Sequence, residues 1–277
     1  MYGKVIACVN EKGGVAKTTT TKNLAVGLAL KGKKVLAIDI DPSANLTKSL
    51  GVRLPDNEPG GICDIMEKSI EIDDFEEGLG IYHHEEGIDL ITSSNSLHVY
   101  ENKLNEAFQR EIVLRRYVMT IKDKYDYILI DCPAGLGIFV SNALFCADSL
   151  IIPLEAKPLG VEAMQNLFLR LNVVRKLNGT KTKPSVTGIL FTAVRPNTIN
   201  DVKIMEQLRT SYSKSVPFFD TYIPMGTKIP ESDAAGESIY KYAKSSISSL
   251  NYEDFVDEFL RLEETDNNSE GENHAEE

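Results

Sequence analysis

The stretch Glu11-Lys-Gly-Gly-Val-Ala-Lys-Thr-Thr-Thr20 decides how this chain folds, because of what stands on either side of it. Ahead of it runs KVIACVN (4–10), apolar and β-branched enough to be a strand. Behind it, residues 19–31 space their apolar side chains as a helix does. Strand, Gly-rich turn, Lys-Thr and helix form the arrangement that lets consecutive backbone N–H groups at a helix N-terminus cradle phosphate oxygens. The generic pattern is G-x-x-x-x-G-K-[ST]. Lys17 and Thr18 fit it, while Glu11 and Ala16 stand where the outer glycines would be. Gly13 and Gly14 would let the backbone curl, Lys17 would reach the outer phosphates, Thr18 would ligate Mg²⁺, and Ala16 is expected to keep a negative φ. The competing reading is a plain Gly-rich turn with two solvated lysines.

Further apolar runs follow at KVLAIDI (34–40), IDLITSS (88–94), YDYILIDCP (125–133), DSLIIPLEA (148–156), VTGILFTAV (186–194) and PFFDTYIP (217–224). Several are apolar on both faces, as central strands of a covered parallel sheet are. Helical spacing recurs over 106–122, 161–177 and 201–214. The alternation predicts one α/β domain: a doubly wound, mostly parallel sheet with helices on both faces. Residues 53–87 are polar, acidic and rich in Gly and Pro, and read as an excursion with one short helix near 62–68. A last helix over 252–262 would close a single domain, 1–262, ahead of an acidic, disordered tail, 263–277.

Composition narrows the classes. The chain has 277 residues with 42% hydrophobic and 26% charged content, ordinary for a folded protein. Its net charge of −11 is concentrated at one end, since the last fifteen residues hold seven acids and no Lys or Arg. A local basic patch is therefore not excluded. Four scattered cysteines with no C-x-x-C pair read as buried hydrophobes in a reducing compartment. With no signal-peptide pattern and no apolar run long enough to span a bilayer, a cytoplasmic location is expected.

Two acid-bearing segments complete the pattern. IDIDPSANLT (38–47) places Asp39 and Asp41 two residues apart, on one side of a strand end, where open α/β sheets bind ligands. Either acid would alternatively serve as a helix cap for the residues after it. YDYILIDCPAGLG (125–137) is an apolar strand ending in Asp131, a Walker B arrangement in which the acid holds Mg²⁺ through water.

KGGVAKT resembles the deviant phosphate loop K-G-G-x-x-K-[TS] of the ParA/MinD family of P-loop NTPases, and the resemblance runs over about residues 4–250, through GILFTAVRPNT (188–198) to IPESDAAGESIYKY (229–242). It implies that Lys12, Gly13, Gly14, Val15, Ala16, Lys17, Thr18 and Thr19 contact ATP, with Lys12 reaching the partner's nucleotide across a dimer interface. It implies that Lys12, Lys17 and Asp41 serve hydrolysis, Asp41 positioning water, and that Thr18, Asp39 and Asp131 surround Mg²⁺. Residues 133–137 would sense the γ-phosphate, and the adenine would lie near Thr192 and Pro224. Ser43 and Ala134 depart from the family pattern, which usually has Gln and Pro there.

Within the family the chain is similar to the short ParA/Soj partition ATPases, since it opens directly on the nucleotide strand. The expected activity is Mg-dependent ATP hydrolysis, weak unless stimulated. The expected partners are a second copy of the chain when ATP is bound, non-specific DNA, and a ParB-like centromere-binding protein that triggers release, so that the ATP form is nucleoid-associated. Arg195, Lys203, Arg209 and Lys214 are the candidate DNA contacts, with Lys228, Lys241 and Lys244 nearby in sequence; solvated lysines on helix faces are the plain alternative. A ParA-like carrier of protein cargo shares the chemistry. A MinD-like division regulator would need a basic amphipathic membrane helix, whereas 251–277 is acidic, so no membrane is expected. A cluster-carrying relative would need paired cysteines, and Cys132 and Cys146 are not such a pair.

Overall fold

The structure, a computed structural model, describes residues 3–54, 61–157, 160–179 and 183–273. The expected tail's last four residues and six residues of the 53–87 excursion lie outside them. Eight strands form one sheet in the spatial order β3 (Ile81–His83), β4 (Asp89–Ile91), β2 (Val35–Asp39), β5 (Tyr127–Asp131), β1 (Lys4–Cys8), β6 (Ser149–Glu155), β7 (Ser185–Val194), β8 (Phe218–Pro224). Every pairing is parallel except β3 with β4. The central strands are buried on both faces, which is why they read as continuous apolar runs. In-register pairing sets Asp39 of β2 directly beside Asp131 of β5, and Asp131 beside Cys8 of β1, at the carboxyl edge.

Helices cover both faces. One core packs α3 (Gly61–Glu71), α4 (Leu97–Glu106), α5 (Val113–Ile121), α6 (Ile138–Cys146), α7 (Gly160–Leu177) and α8 (Ile199–Tyr212) on the sheet. The other holds α1 (Lys17–Leu30), α2 (Asn45–Ser49), α9 (Lys228–Ala235), α10 (Ile239–Tyr242) and α11 (Ile247–Asn273). α1 is buried almost all round because α11 lies across it, presenting Tyr252, Phe255, Val256 and Phe259 at helical spacing. The Phe255 ring meets Phe219 of β8 edge-on at 4.9 Å between centroids.

Three local expectations are corrected. The excursion carries an edge strand, β3, besides α3; with only three residues, half or fully exposed, it leaves no apolar run to detect. The helix expected over 106–122 is shorter, α5, and starts only at Val113; before it the chain breaks at Gln109, with a φ of +51°, and a separate helix, α4, ends at Glu106. The acidic segment does not leave the fold at 263. α11 continues to Asn273, and Glu263 is buried, its carboxylate 2.7 Å from Lys4 Nζ on β1. All four cysteines are free and buried, as expected of small hydrophobes.

The approach of α11 to α1 depends on Gly27. A Cβ there would lie 2.6 Å from both Tyr240 Oη and Val256 Cγ2. Gly27→Leu should therefore destabilise the chain by about 1–3 kcal/mol, the usual cost of overpacking. Urea denaturation with an unchanged midpoint would contradict this packing.

Candidate active site

The loop after β1 is shaped by its own side chains. Asn10 is buried; its Nδ2 donates to Pro153 O at 2.7 Å and its Oδ1 accepts Lys12 N–H at 2.9 Å. Glu11 fills the place of a glycine because ordinary backbone angles suffice there. Its carboxylate accepts from Asn166 Nδ2 at 2.9 Å, and its carbonyl accepts Gly135 N–H at 2.8 Å, tying this loop to residues 133–137. Gly14 has φ +74°, as a tight turn requires. Ala16 overturns the expectation of a negative φ: it sits at φ +66°, ψ +32°, in the left-handed region that costs an L-residue about 1–2 kcal/mol. This turn aims the first turn of α1 at the open edge, and no side chain caps that helix. Its leading N–H groups are thus presented to an anion. Lys17, 7% exposed, curls back so that Nζ donates to Lys12 O at 2.9 Å. Val15 is buried, so only its backbone faces the loop, and its carbonyl accepts Thr192 Oγ1–H at 3.1 Å.

The acids gather below this loop. Asp131 accepts from Thr18 Oγ1 at 2.7 Å and from Thr21 Oγ1 at 3.3 Å. Asp39 accepts Thr47 N–H at 2.8 Å, Thr47 Oγ1–H at 2.7 Å and Asp41 N–H at 3.1 Å. Asp39 therefore does part of what a helix cap does, anchoring the first turn of α2. β2 ends at Asp39, so Asp41 does not continue the strand side by side with it; Asp41 is half-buried and its carboxylate accepts Ser43 N–H at 2.8 Å. Burial pushes Asp39 up to about 6, with the Asp41 charge adding to it against the Thr47 and Asp41 N–H bonds. Burial and then the Asp39 charge hold Asp131 well above the ordinary carboxylate range, against the Thr18 bond and Lys17.

Above the acids opens a cavity of about 920 Å³, bounded by Gly13, Gly14, Ala16 to Thr19, Asp41 to Ser43 and Pro133 to Ala134. Its far wall brings in Lys48, Arg53, His98 and Glu101, none of them singled out by the sequence motifs. Two lie on α4, a helix the periodicity did not reveal. Lys12 does not line the cavity; its part-exposed Nζ pairs with Glu155 Oε2 at 2.8 Å, and Glu155 also meets Lys157 at 3.1 Å. These two lysines, against the opposing effect of burial, keep the Glu155 carboxyl below its usual range. Thr192 and Pro224 do not line the cavity; they stand behind the loop, where Met225 N–H donates to Val194 O at 2.8 Å. The charge set suits a hard dication. Among the described residues no three His, Cys, Asp or Glu converge, so a cation here would take few protein ligands, Thr18 and Asp131 foremost, and the rest from phosphate and water, the habit of Mg²⁺.

The basic surface is only partly as expected. Arg195, Lys203 and Lys214 are exposed. Arg209 is half-buried and bonded within the fold. Its guanidinium donates to Phe219 O at 2.5 Å, pairs with Asp220 at 3.2 Å and lies 5.7 Å from the Phe191 ring centroid. Lys228 and Lys241 are paired with Glu231 and Glu85.

Two acids that hold protons more tightly in the fold than in the unfolded chain cost stability as pH rises from about 4 through 6. Asp131→Asn can still accept from Thr18 through Oδ1. It should raise the Tm of the nucleotide-free chain at pH 7 by about 2–4 °C, one kcal/mol or so for a chain of this size. A lowered Tm in differential scanning calorimetry would contradict the repulsive pair.

Comparisons with known proteins agree with this geometry. Residues 3–184 match the AAA domain family. The sporulation initiation inhibitor protein Soj of Bacillus subtilis is 34% identical over 257 residues, 92% of this chain and 98% of that protein. The chromosome-partitioning ATPase Soj of Treponema pallidum is 32% identical over 93% of this chain and 97% of its own. Among solved structures, a cobyrinic acid a,c-diamide synthase from Mycobacterium smegmatis with bound ADP and magnesium superposes with a TM-score of 0.78, at 27% identity over 94% of each chain. With its phosphate loop, paired acids and parallel sheet, the chain belongs to the AAA domain family as a ParA/MinD-type ATPase.

Proposed function

We propose that this protein is a partition ATPase of the ParA/Soj kind, which binds Mg·ATP in the cavity over the phosphate loop, pairs with a second copy through Lys12, and carries DNA until hydrolysis releases it. The observation that carries this reading is the opposite setting of the two loop lysines. Lys17 is buried, lines the cavity and turns inward over the loop, whereas Lys12 stays out of the cavity lining, part-exposed, its Nζ in an ion pair with Glu155. One lysine faces the protein's own phosphates and the other is free to exchange Glu155 for a phosphate presented from outside.

The homologous structure that holds ADP and magnesium supports ATP and Mg²⁺ as the ligands here. When bound, Mg²⁺ supplies positive charge at the phosphates that the protein's own side chains do not. Gly13 to Thr19 present N–H donors, Lys17 offsets phosphate charge, Thr18 and Asp131 hold the cation, and Asp39 fixes α2 and the turn that bears Asp41. Asp41, at the cavity wall, orients water for attack. Such phosphoryl transfer is mostly positioning and electrostatics, so the rate depends on these groups being preorganised.

DNA is taken up without sequence preference. Arg195, Lys203 and Lys214 furnish exposed charge, and a two-fold dimer doubles the phosphates they neutralise against the chain's net −11. In the cell this places the ATP form on the nucleoid, and a ParB-like partner stimulates hydrolysis to release it. Protein cargo is the rival destination for the same chemistry.

Lys17→Ala should abolish ATP binding in equilibrium dialysis. Lys12→Gln should bind ATP yet sediment as a monomer, and should fail to retain duplex DNA that the parent protein holds with ATP but not with ADP. For the parent, affinity should fall with salt at a log–log slope of about −0.9 per phosphate contacted. A Lys12→Gln variant that still dimerises would remove the trans role of Lys12. Equal DNA retention in every nucleotide state, or none at any salt, would move the reading to a protein cargo.

A further inference from the structure

α1 carries a lysine that phosphate chemistry does not call for. Lys22 is 0% exposed, and its Nζ donates to three acceptors on three other segments. These are Ser49 O at the end of α2 (3.2 Å), Asp233 Oδ1 in α9 (2.6 Å) and Glu237 O just beyond it (2.7 Å). The three bonds use all the donors of an ammonium. Burial lowers the proton affinity of Lys22, and the Asp233 charge opposes it. Only the lysine end of this ion pair is fully enclosed, and its three bonds tie the end of α2 and the end of α9 to α1 in one arrangement.

The segment it fixes is α2. Five residues do not make a helix that is stable alone. At its start, Asp39 holds the Thr47 N–H and hydroxyl. At its end, Ser49 O accepts from Lys22 and Leu50 O is bonded to His84 Nε2 at 2.8 Å. α2 is thus a short rod clamped between the buried Asp39, two residues before Asp41 at the cavity wall, and Lys22. Its end also abuts the end of α9 backbone to backbone, since a Cβ on Gly236 would lie 2.5 Å from Gly51 Cα. The Asp233 side chain, 34% exposed, reaches the cavity wall from the other side.

We propose that Lys22 is a positioning residue: it links occupancy of the phosphate cavity, through α2, to α9 and the turn after it, and so holds the Asp41 turn where hydrolysis needs it. This rests on the nucleotide reading above. A pull on Asp39 or Asp41 displaces α2 as a unit, Ser49 O moves with it, and the shared ammonium carries Asp233 and Glu237 along.

Hydrogen exchange with and without Mg·AMPPNP tests the link, in the parent protein, in Lys22→Met, and in Lys22→Met/Asp233→Asn. The double variant leaves no unpaired buried charge should the single one melt. In the parent, the analogue should slow exchange in 13–19, 45–49 and 228–242. In the double variant the first two effects should persist and the third vanish, while kcat falls about tenfold and analogue affinity changes less than about twofold, the size of an ordinary coupling between sites. A variant in which 228–242 still responds, or kcat is unchanged, overturns the proposal. If the analogue protects nothing in 13–19 of the parent, the nucleotide reading falls first and takes this proposal with it.

Discussion

Two carboxylates, Asp39 and Asp131, are forced together by strand register at the carboxyl edge of the sheet, where neither is exposed to water. Like charges in a buried site raise each other's proton affinity. The surrounding side chains answer that repulsion. Thr18 and Thr21 donate to one acid, Thr47 and the Asp41 N–H to the other, and Lys17 lies close enough to lower Asp131. The site is not neutralised by the chain alone, and this is the opening that a dication and phosphate lysines are suited to fill.

The phosphate loop stores a related tension. Ala16 holds a left-handed backbone and α1 begins without a side-chain cap. Both features cost stability in the free chain, and both place unpaired N–H groups where an anion would satisfy them. The strained turn, the uncapped helix and the acid pair thus share one remedy, and α2 with Lys22 carries its effect outward to α9.

Legibility in the sequence followed burial. Central strands such as YILID announced themselves because both faces are covered, and the order of loop, Asp39–Asp41 segment and Asp131 strand revealed the sheet's edge. β3 escaped notice as a short, exposed antiparallel edge, and α4 because its two buried residues, Leu97 and Leu104, leave no stripe. Contacts distant in sequence were invisible, such as Glu155 gripping Lys12 and Glu263 returning to Lys4, and so was the bond of Arg209 to the β8 backbone, because a side chain's backbone partner leaves no mark on residue type. Lys22 was hidden for a different reason, since a lysine on a helix ordinarily lies in solvent, and only the fold shows it fully enclosed.

The site is built on the acid pair, and infrared difference spectroscopy with isotope-labelled aspartate reads that pair directly. In the nucleotide-free protein a protonated aspartate carbonyl band should persist to about pH 6, where burial has placed Asp39. It should disappear when Mg·ATP is added at that pH. If every aspartate is ionised by about pH 5, as ordinary side chains with values near 3.9 are, or if the band survives Mg·ATP, the two carboxylates are not the repulsive pair on which the site is built.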